Sequence, residues 1–96
     1  MRYAVHPKVT LERVAGQYLL ISYGGAQPEL PYIQQINETG AFYWKLLEER
    51  KSDKQMLAAA AEEFGVEAEV IEPGLRAYLE MLSARGYLSP IDSRSI

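Results

Sequence analysis

Few side chains of this chain are suited to acid–base or nucleophilic catalysis. The 96 residues include one histidine, His6, and no cysteine. His6 stands beside Pro7 near one end of the chain, so we expect a solvent-exposed terminal residue rather than a general base. A nucleophilic enzyme needs a base that an orienting partner holds in place, and the sequence offers no such set. The residue types therefore argue against an enzyme.

Carboxylates and glycines are present but lack the spacing of a site. The pairs Glu48-Glu49 and Glu62-Glu63 fall near predicted helix ends on solvent faces. One histidine with scattered carboxylates has no ligand spacing for a metal, and thiolate ligands are absent. Gly24-Gly25 runs into Ala-Gln-Pro rather than a helix start, which indicates a turn and not a phosphate loop. We predict no catalytic residue, no metal site and no cofactor.

The distribution of charge disfavours nucleic acid. The formal net charge is −3. Five glutamates lie between residues 62 and 72 with no basic residue among them: Glu62, Glu63, Glu67, Glu69 and Glu72. Such a stretch repels phosphate, whereas duplex binding needs clustered Lys and Arg. No signal peptide and no membrane-length apolar run are recognisable, so we expect a cytoplasmic protein without membrane contact.

Alternating apolar residues predict a β-hairpin over residues 9–23, with Ala15-Gly16 in the turn, where Gly16 supplies the positive φ of a tight loop. A loop with two prolines follows at residues 24–31. Residues 32–36 then form a third strand, which passes through Asn37 directly into a helix. Asn37 is a good N-cap because its side-chain oxygen accepts from free backbone N–H groups.

Three helices follow in the predicted order. They cover about residues 37–49, 52–65 and 73–86. The second begins with a capping box of Ser52 and Gln55 and ends at Gly65, and the third begins at Pro73. Trp44 of the first helix is assigned to the core, and the chain from Pro90 onward is expected to fray.

Two predicted surfaces lack an obvious partner. The third strand, residues 32–36, is an edge without charge or interior proline, and unpaired edges are normally guarded. On the third helix, weakly polar residues continue past Tyr78 to Arg85 and Met81, which widens the apolar arc beyond what one core needs. This flank either packs under the tail and hairpin or lines a groove. Both alternatives stay open.

The strand-to-helix junction Ile36-Asn37-Glu38-Thr39-Gly40, with Trp44 and Leu46-Leu47 after it, resembles the PqqD-like family, also described as RiPP recognition elements. The ending Arg85-Gly86-Tyr87-Leu88 is similar as well, so the resemblance covers about residues 9–88. It implies an α+β, winged-helix-like fold in which a three-stranded antiparallel sheet precedes three helices. The chain would be a single domain over residues 1–96, with a core at about 9–88 and flexible termini.

The same resemblance implies a function without catalysis. Family members capture the leader of a ribosomally synthesised precursor peptide and present it to a modifying enzyme, often a radical SAM enzyme. The peptide adds as a strand to the third strand and lies against the third helix. Carried over by position, the peptide-binding residues would be Tyr32, Ile33, Gln34, Gln35, Ile36, Tyr78, Met81 and Arg85.

The chain departs from the family pattern at two places. The loop of residues 24–31 is longer than usual, and Glu49-Arg50-Lys51-Ser52 replaces the Asp-Gly turn that often follows the first helix.

Two other functions compete with peptide capture. A winged-helix DNA-binding regulator would use the second and third helices as a helix-turn-helix, although the third offers only Arg76 and Arg85 to phosphate. A dimerisation module would instead pair the third strand with its own copy.

Overall fold

The computed structural model describes residues 2–23 and 32–91, in which five strands and three helices follow one another. The elements are β1 (Arg2–Val5), β2 (Val9–Val14), β3 (Gln17–Ser22), β4 (Tyr32–Ile36), α1 (Glu38–Glu48), α2 (Asp53–Phe64), α3 (Ala68–Ala84) and β5 (Leu88–Ile91). Strands β2, β3 and β4 form an antiparallel sheet in that order, and β1 pairs with β5. The α+β fold with a three-stranded sheet before three helices is confirmed. The predicted turn and loop at residues 24–31 lie outside the described residues.

The hairpin of β2 and β3 is confirmed, and its turn fixes the register of the sheet. Val14 pairs with Gln17, so the loop has two residues. Ala15 and Gly16 both have positive φ, 53° and 80°. Two positive φ values in a two-residue loop are typical of the type I′ turn, whose twist matches that of the strands. Gly16 adopts this conformation freely, whereas Ala15 is held there by the strand pairing.

The predicted caps of α1 and α2 are confirmed. Asn37 Oδ1 accepts a hydrogen bond from Gly40 N at 2.7 Å, which begins α1 one residue after β4 ends. Ser52 and Gln55 form the predicted capping box, in which each side chain accepts from the other's backbone N–H. Gly65 ends α2 in the left-handed conformation.

The predicted start of α3 at Pro73 is wrong, because the helix begins at Ala68 and Pro73 lies inside it. Ile71, upstream of the proline, is buried in the core. Burial of such a side chain contributes about 1.5–3 kcal/mol, which favours extending the helix upstream. In a helix, the backbone N–H that Pro73 lacks would donate to the carbonyl of Glu69. That carbonyl lies in the exposed first turn of α3, where water can replace the missing donor.

The pair of β1 and β5 was not predicted, and it corrects two expectations. Pro90 is not frayed: it lies in β5 opposite Tyr3. A proline is tolerated there because a strand of a two-stranded sheet has an unpaired side. His6 is partly buried and is not a solvated terminal residue. Its ring Nδ1 accepts a hydrogen bond from Lys8 N at 3.0 Å, and its backbone N–H donates to the Tyr87 carbonyl.

One apolar core joins the sheet to the helices. Its fully buried side chains are Trp44, Leu20, Leu47, Met56 and Leu82. Trp44 is therefore a core residue, as predicted. In the part of the chain that the structure describes, no helix is both long and apolar enough to cross a bilayer.

Candidate functional site: the β4 edge and the α3 flank

Strand β4 is an edge of the three-stranded sheet. It pairs with β3 on one side, with Tyr32 opposite Ser22 and Ile36 opposite Tyr18. Over the described residues no strand pairs with its other side. The backbone groups on that side are therefore available to another chain, as predicted for an unguarded edge.

The register identifies which amides of β4 point outward. In an antiparallel hairpin with a two-residue loop, the closing pair, here Val14 and Gln17, exchanges both backbone hydrogen bonds, and every second pair after it does the same. The bond from Tyr23 N to Lys8 O, at 2.9 Å, follows this alternation. Odd-numbered residues of β3 thus face β2 and even-numbered ones face β4.

Strand β4 continues the same alternation. Leu20 of β3 lies opposite Gln34, so Gln34 directs its N–H and carbonyl toward β3, as do Tyr32 and Ile36. The N–H and carbonyl groups of Ile33 and Gln35 point away from the sheet. These two residues carry the free hydrogen-bonding groups of the edge.

The side chains of β4 alternate between two faces. Gln34 shares the inner face with Leu20, which is fully buried, and Ile36 packs against the core. Ile33 lies on the outer face and leaves 56% of its surface exposed. Gln35 is also exposed there.

Met81 of α3 meets the inner face of β4. Its Sδ lies 3.9 Å from Gln34 Nε2, a weak hydrogen bond between the strand and the helix. Gln34 Oε1 is buried and has no hydrogen-bond partner. A buried acceptor without a donor is costly, so this side chain contributes little to the stability of the strand–helix contact. Gln34 and Met81 thus join β4 to α3, and the surface that the strand edge and the α3 flank present around this contact is called the groove below.

Tyr78 closes one end of this groove. Its hydroxyl donates to the Gly40 carbonyl at 2.9 Å, and its ring lies 5.7 Å from that of Tyr43. Burial raises the pKa of Tyr78 above its usual value. Because the hydroxyl is already bonded within the fold, Tyr78 offers a peptide its ring and not a donor.

Gly40 allows the close approach of α3 to the β4–α1 junction. A Cβ at this position would lie 3.3 Å from Asn37 Oδ1 and 3.4 Å from Tyr78 Cε1. Both neighbours are fixed by hydrogen bonds, so neither is free to move away. The junction and the groove wall are therefore one packed unit.

Arg85 lies at the other end of the flank. It caps α3, and its backbone N–H donates to the Met81 carbonyl at 3.1 Å. At about 100° per residue, Arg85 projects on the same side of the helix as Met81 and Tyr78. Ala77 and Ala84, on the same flank, are exposed, so the tail and hairpin do not cover it. The groove alternative fits this flank.

The structure brings Gln34 against Met81 and places Tyr78 and Arg85 on the same side of α3 as Met81. The side chains of Ile33 and Gln35 lie on the outer face of β4, away from this contact. Sequence reasoning missed two facts. One is the outward direction of Ile33 and Gln35, because it depends on the register of β3 with β4, which the Ala15-Gly16 loop does not fix. The other is the Gln34–Met81 contact, which no sequence signal marks. Among the described residues no cluster of potential metal ligands occurs.

Comparisons with known proteins agree with this geometry. The family model for Coenzyme PQQ synthesis protein D (PqqD) matches residues 27–88, more than half of the chain. Among solved structures, TbiB1 in complex with the TbiA(beta) leader peptide is similar, with a TM-score of 0.72 and 21% identity over 94% of this chain and 99% of that chain. At that identity the likeness establishes the fold. No curated protein matches the sequence significantly.

Proposed function

Because the chain belongs to the PqqD family, we propose that it captures the leader of a ribosomally synthesised precursor peptide and presents it to a modifying enzyme. The family consists of peptide-binding domains without catalytic activity. We further propose that the enzyme is of the radical SAM type. The chain itself binds and positions the peptide.

The observation that carries this proposal is the free edge of β4 beside the flank of α3. A peptide in extended conformation gains main-chain hydrogen bonds from Ile33 and Gln35. Its inward side chains rest on Met81 and on the ring of Tyr78. The solved complex of TbiB1 with a leader peptide supports the choice of ligand.

The surface charges favour a peptide over DNA. A helix-turn-helix reader contacts DNA with the first turns of its second helix. In this chain that end of α3 is surrounded by exposed glutamates, among them Glu67 and Glu69. Pairing of β4 with a second copy uses the same edge as the peptide, so it would compete with capture and not assist it.

Proline substitution at Gln35 tests the proposal. Gln35→Pro removes an outward N–H and leaves the bonds to β3 in place, and edge strands accept proline. We expect binding of its cognate leader peptide to weaken at least about tenfold, or about 1.4 kcal/mol, while unfolding stays cooperative. Isothermal titration calorimetry and urea unfolding are the measurements.

Two matched variants control this experiment. Gln35→Ala keeps the N–H and should bind as the wild type does. Gln34→Pro removes an inward N–H, so it should lower the free energy of unfolding instead. Unchanged leader affinity in Gln35→Pro would refute strand addition at β4.

A further inference from the structure

The outer face of the three-stranded sheet, which points away from the core, is rich in apolar side chains. Its apolar residues are Val14, Leu19, Ile21, Tyr23 and Ile33. Val14, Tyr23 and Ile33 leave 53%, 47% and 56% of their surface exposed. In the described part of the chain, none of the five belongs to the buried core or to the side chains that pack against it.

This composition is unusual for a sheet with one face open to water. Such antiparallel sheets normally alternate apolar residues on the inner face with polar residues on the outer face. Strand β3 does not alternate, because Leu19 and Ile21 flank the fully buried Leu20 and are themselves apolar. The outer face therefore has the composition of a surface that another apolar surface covers.

The strand register arranges the outer face in rows that cross the three strands. The central row consists of Thr10, Ile21 and Ile33, which lie directly opposite one another in β2, β3 and β4. Neighbours in such a row share one face of the sheet. The central row carries no charge.

The two rows that flank the central row carry opposite charges on β2. On one side, Glu12 lies opposite Leu19. On the other side, Lys8 lies beside Tyr23, whose N–H donates to the Lys8 carbonyl at 2.9 Å. Neither Lys8 nor Glu12 has an ion pair within the described residues.

This order of rows is complementary to itself. A two-fold axis between two sheets, perpendicular to the strands and level with the central row, places the central rows of two copies against each other. Each flanking row then meets the opposite flanking row of the second copy. Glu12 faces Lys8 of the second copy, and Leu19 faces its Tyr23. Packed sheets lie about 10 Å apart with strands aligned to within about 30°, so these side chains can meet.

We propose that the outer face is the interface of a reversible homodimer, in which two sheets pack face to face about this axis. Three strands of five or six residues present a face of only about 14 by 19 Å. This is smaller than the roughly 800 Å² per partner of a standard stable interface, so we expect a dissociation constant of about 10⁻⁵–10⁻³ M.

This contact differs from pairing through the edge of β4. The free N–H and carbonyl groups of Ile33 and Gln35 lie in the plane of the sheet, whereas the dimer uses the surface perpendicular to it. Both copies therefore keep their β4 edge open, and dimerisation can be measured without any leader peptide.

Sedimentation equilibrium at protein concentrations from about 10 µM to 1 mM tests the dimer. The average mass should rise with concentration from the monomer value of 10.8 kDa toward twice that value. Ile21→Lys places two like charges against each other across the axis and should weaken the dimer at least about tenfold, while urea unfolding stays cooperative.

Charge reversals on the exposed ends of β2 test the orientation of the two copies. Lys8→Glu and Glu12→Lys each put like charges opposite one another at two symmetric positions, so each should weaken the dimer at least about fivefold. The double variant restores opposite charges and should dimerise within about twofold of the wild type. Glu62→Lys changes the charge on the exposed surface of α2 and should leave the dimer unchanged.

The proposal is overturned if the mass stays at the monomer value up to 1 mM, or if Ile21→Lys dimerises as the wild type does. It is also overturned if the double charge reversal fails to recover what the single reversals lose. Dimerisation that Gln35→Pro abolishes and Ile21→Lys leaves intact would assign the contact to the β4 edge instead. None of these results bears on leader capture, which calorimetry measures separately.

Discussion

At the scale of single residues, Tyr78 joins the groove to the strand–helix junction. Its hydroxyl bonds to the Gly40 carbonyl, and its ring contacts the space that a larger residue at position 40 would fill. The sequence placed Tyr78 on the apolar side of α3 because of helical periodicity. The bond to Gly40 could not be predicted, because it joins residues 38 positions apart.

The alkaline stability of the protein should depend on Tyr78. Burial raises its pKa in the folded state above the ordinary value of 10.0. The contribution of neutral Tyr78 to the free energy of unfolding is therefore fully present below about pH 10. It decreases as the pH rises further, because Tyr78 loses its proton in the unfolded chain at a lower pH than in the folded protein. Urea unfolding from pH 8.5 to 11 should show the wild type losing about 1 kcal/mol more than Tyr78→Phe.

Tyr43 is the internal control for that comparison. Burial raises its pKa too, but it is present in both proteins, so its effect cancels. At pH 8.5 the Phe variant should be less stable by about 0.5–1.5 kcal/mol, for the lost hydrogen bond. Parallel pH profiles for the two proteins would show that Tyr78 ionises as freely when folded as when unfolded.

At the scale of elements, turn and capping residues in the sequence predicted most of the strands and helices. The hairpin turn, the Asn37 cap and the capping box each involve residues that are close in sequence. Their residue types therefore reveal them without knowledge of the tertiary structure. Two features depend on distant contacts. Helix α3 begins at Ala68 because Ile71 reaches the core, and β1 forms because β5 is there to pair with it.

The cap at Asn37 should determine the stability of α1 without determining the fold. Asn37→Ala removes the acceptor for Gly40 N, and loss of such a cap costs about 1 kcal/mol. Urea unfolding should show this decrease with an unchanged slope. Asn37→Ser, which keeps a capping oxygen, is the matched control and should recover most of the loss. Equal stability of the Ala variant and the wild type would mean that the cap contributes nothing.

At the scale of the whole molecule, charge and shape divide the surface into distinct regions. The edge of β4 carries no charged side chain, whereas the corner between α2 and α3 is acidic. The sequence indicated this division, because five glutamates with no basic residue among them lie between residues 62 and 72, whereas residues 32–36 carry no charge.

This charge distribution predicts no useful affinity for duplex DNA. The acidic corner lies where a winged-helix regulator would contact phosphate, so repulsion should prevent binding. Fluorescence anisotropy with a mixed-sequence duplex at about 150 mM salt should show no saturation. Tight binding with a steep dependence on salt would favour the regulator over the peptide adaptor.

The alternation of backbone groups along β4 offers the most direct test of peptide capture. Hydrogen exchange is measured amide by amide by NMR, with and without the cognate leader peptide. Ile33 and Gln35 point outward, so their amides should exchange at least about tenfold more slowly when the leader binds. Gln34 and Ile36, already bonded to β3, should change less. If the leader binds while Ile33 and Gln35 exchange at unchanged rates, strand addition to β4 is contradicted.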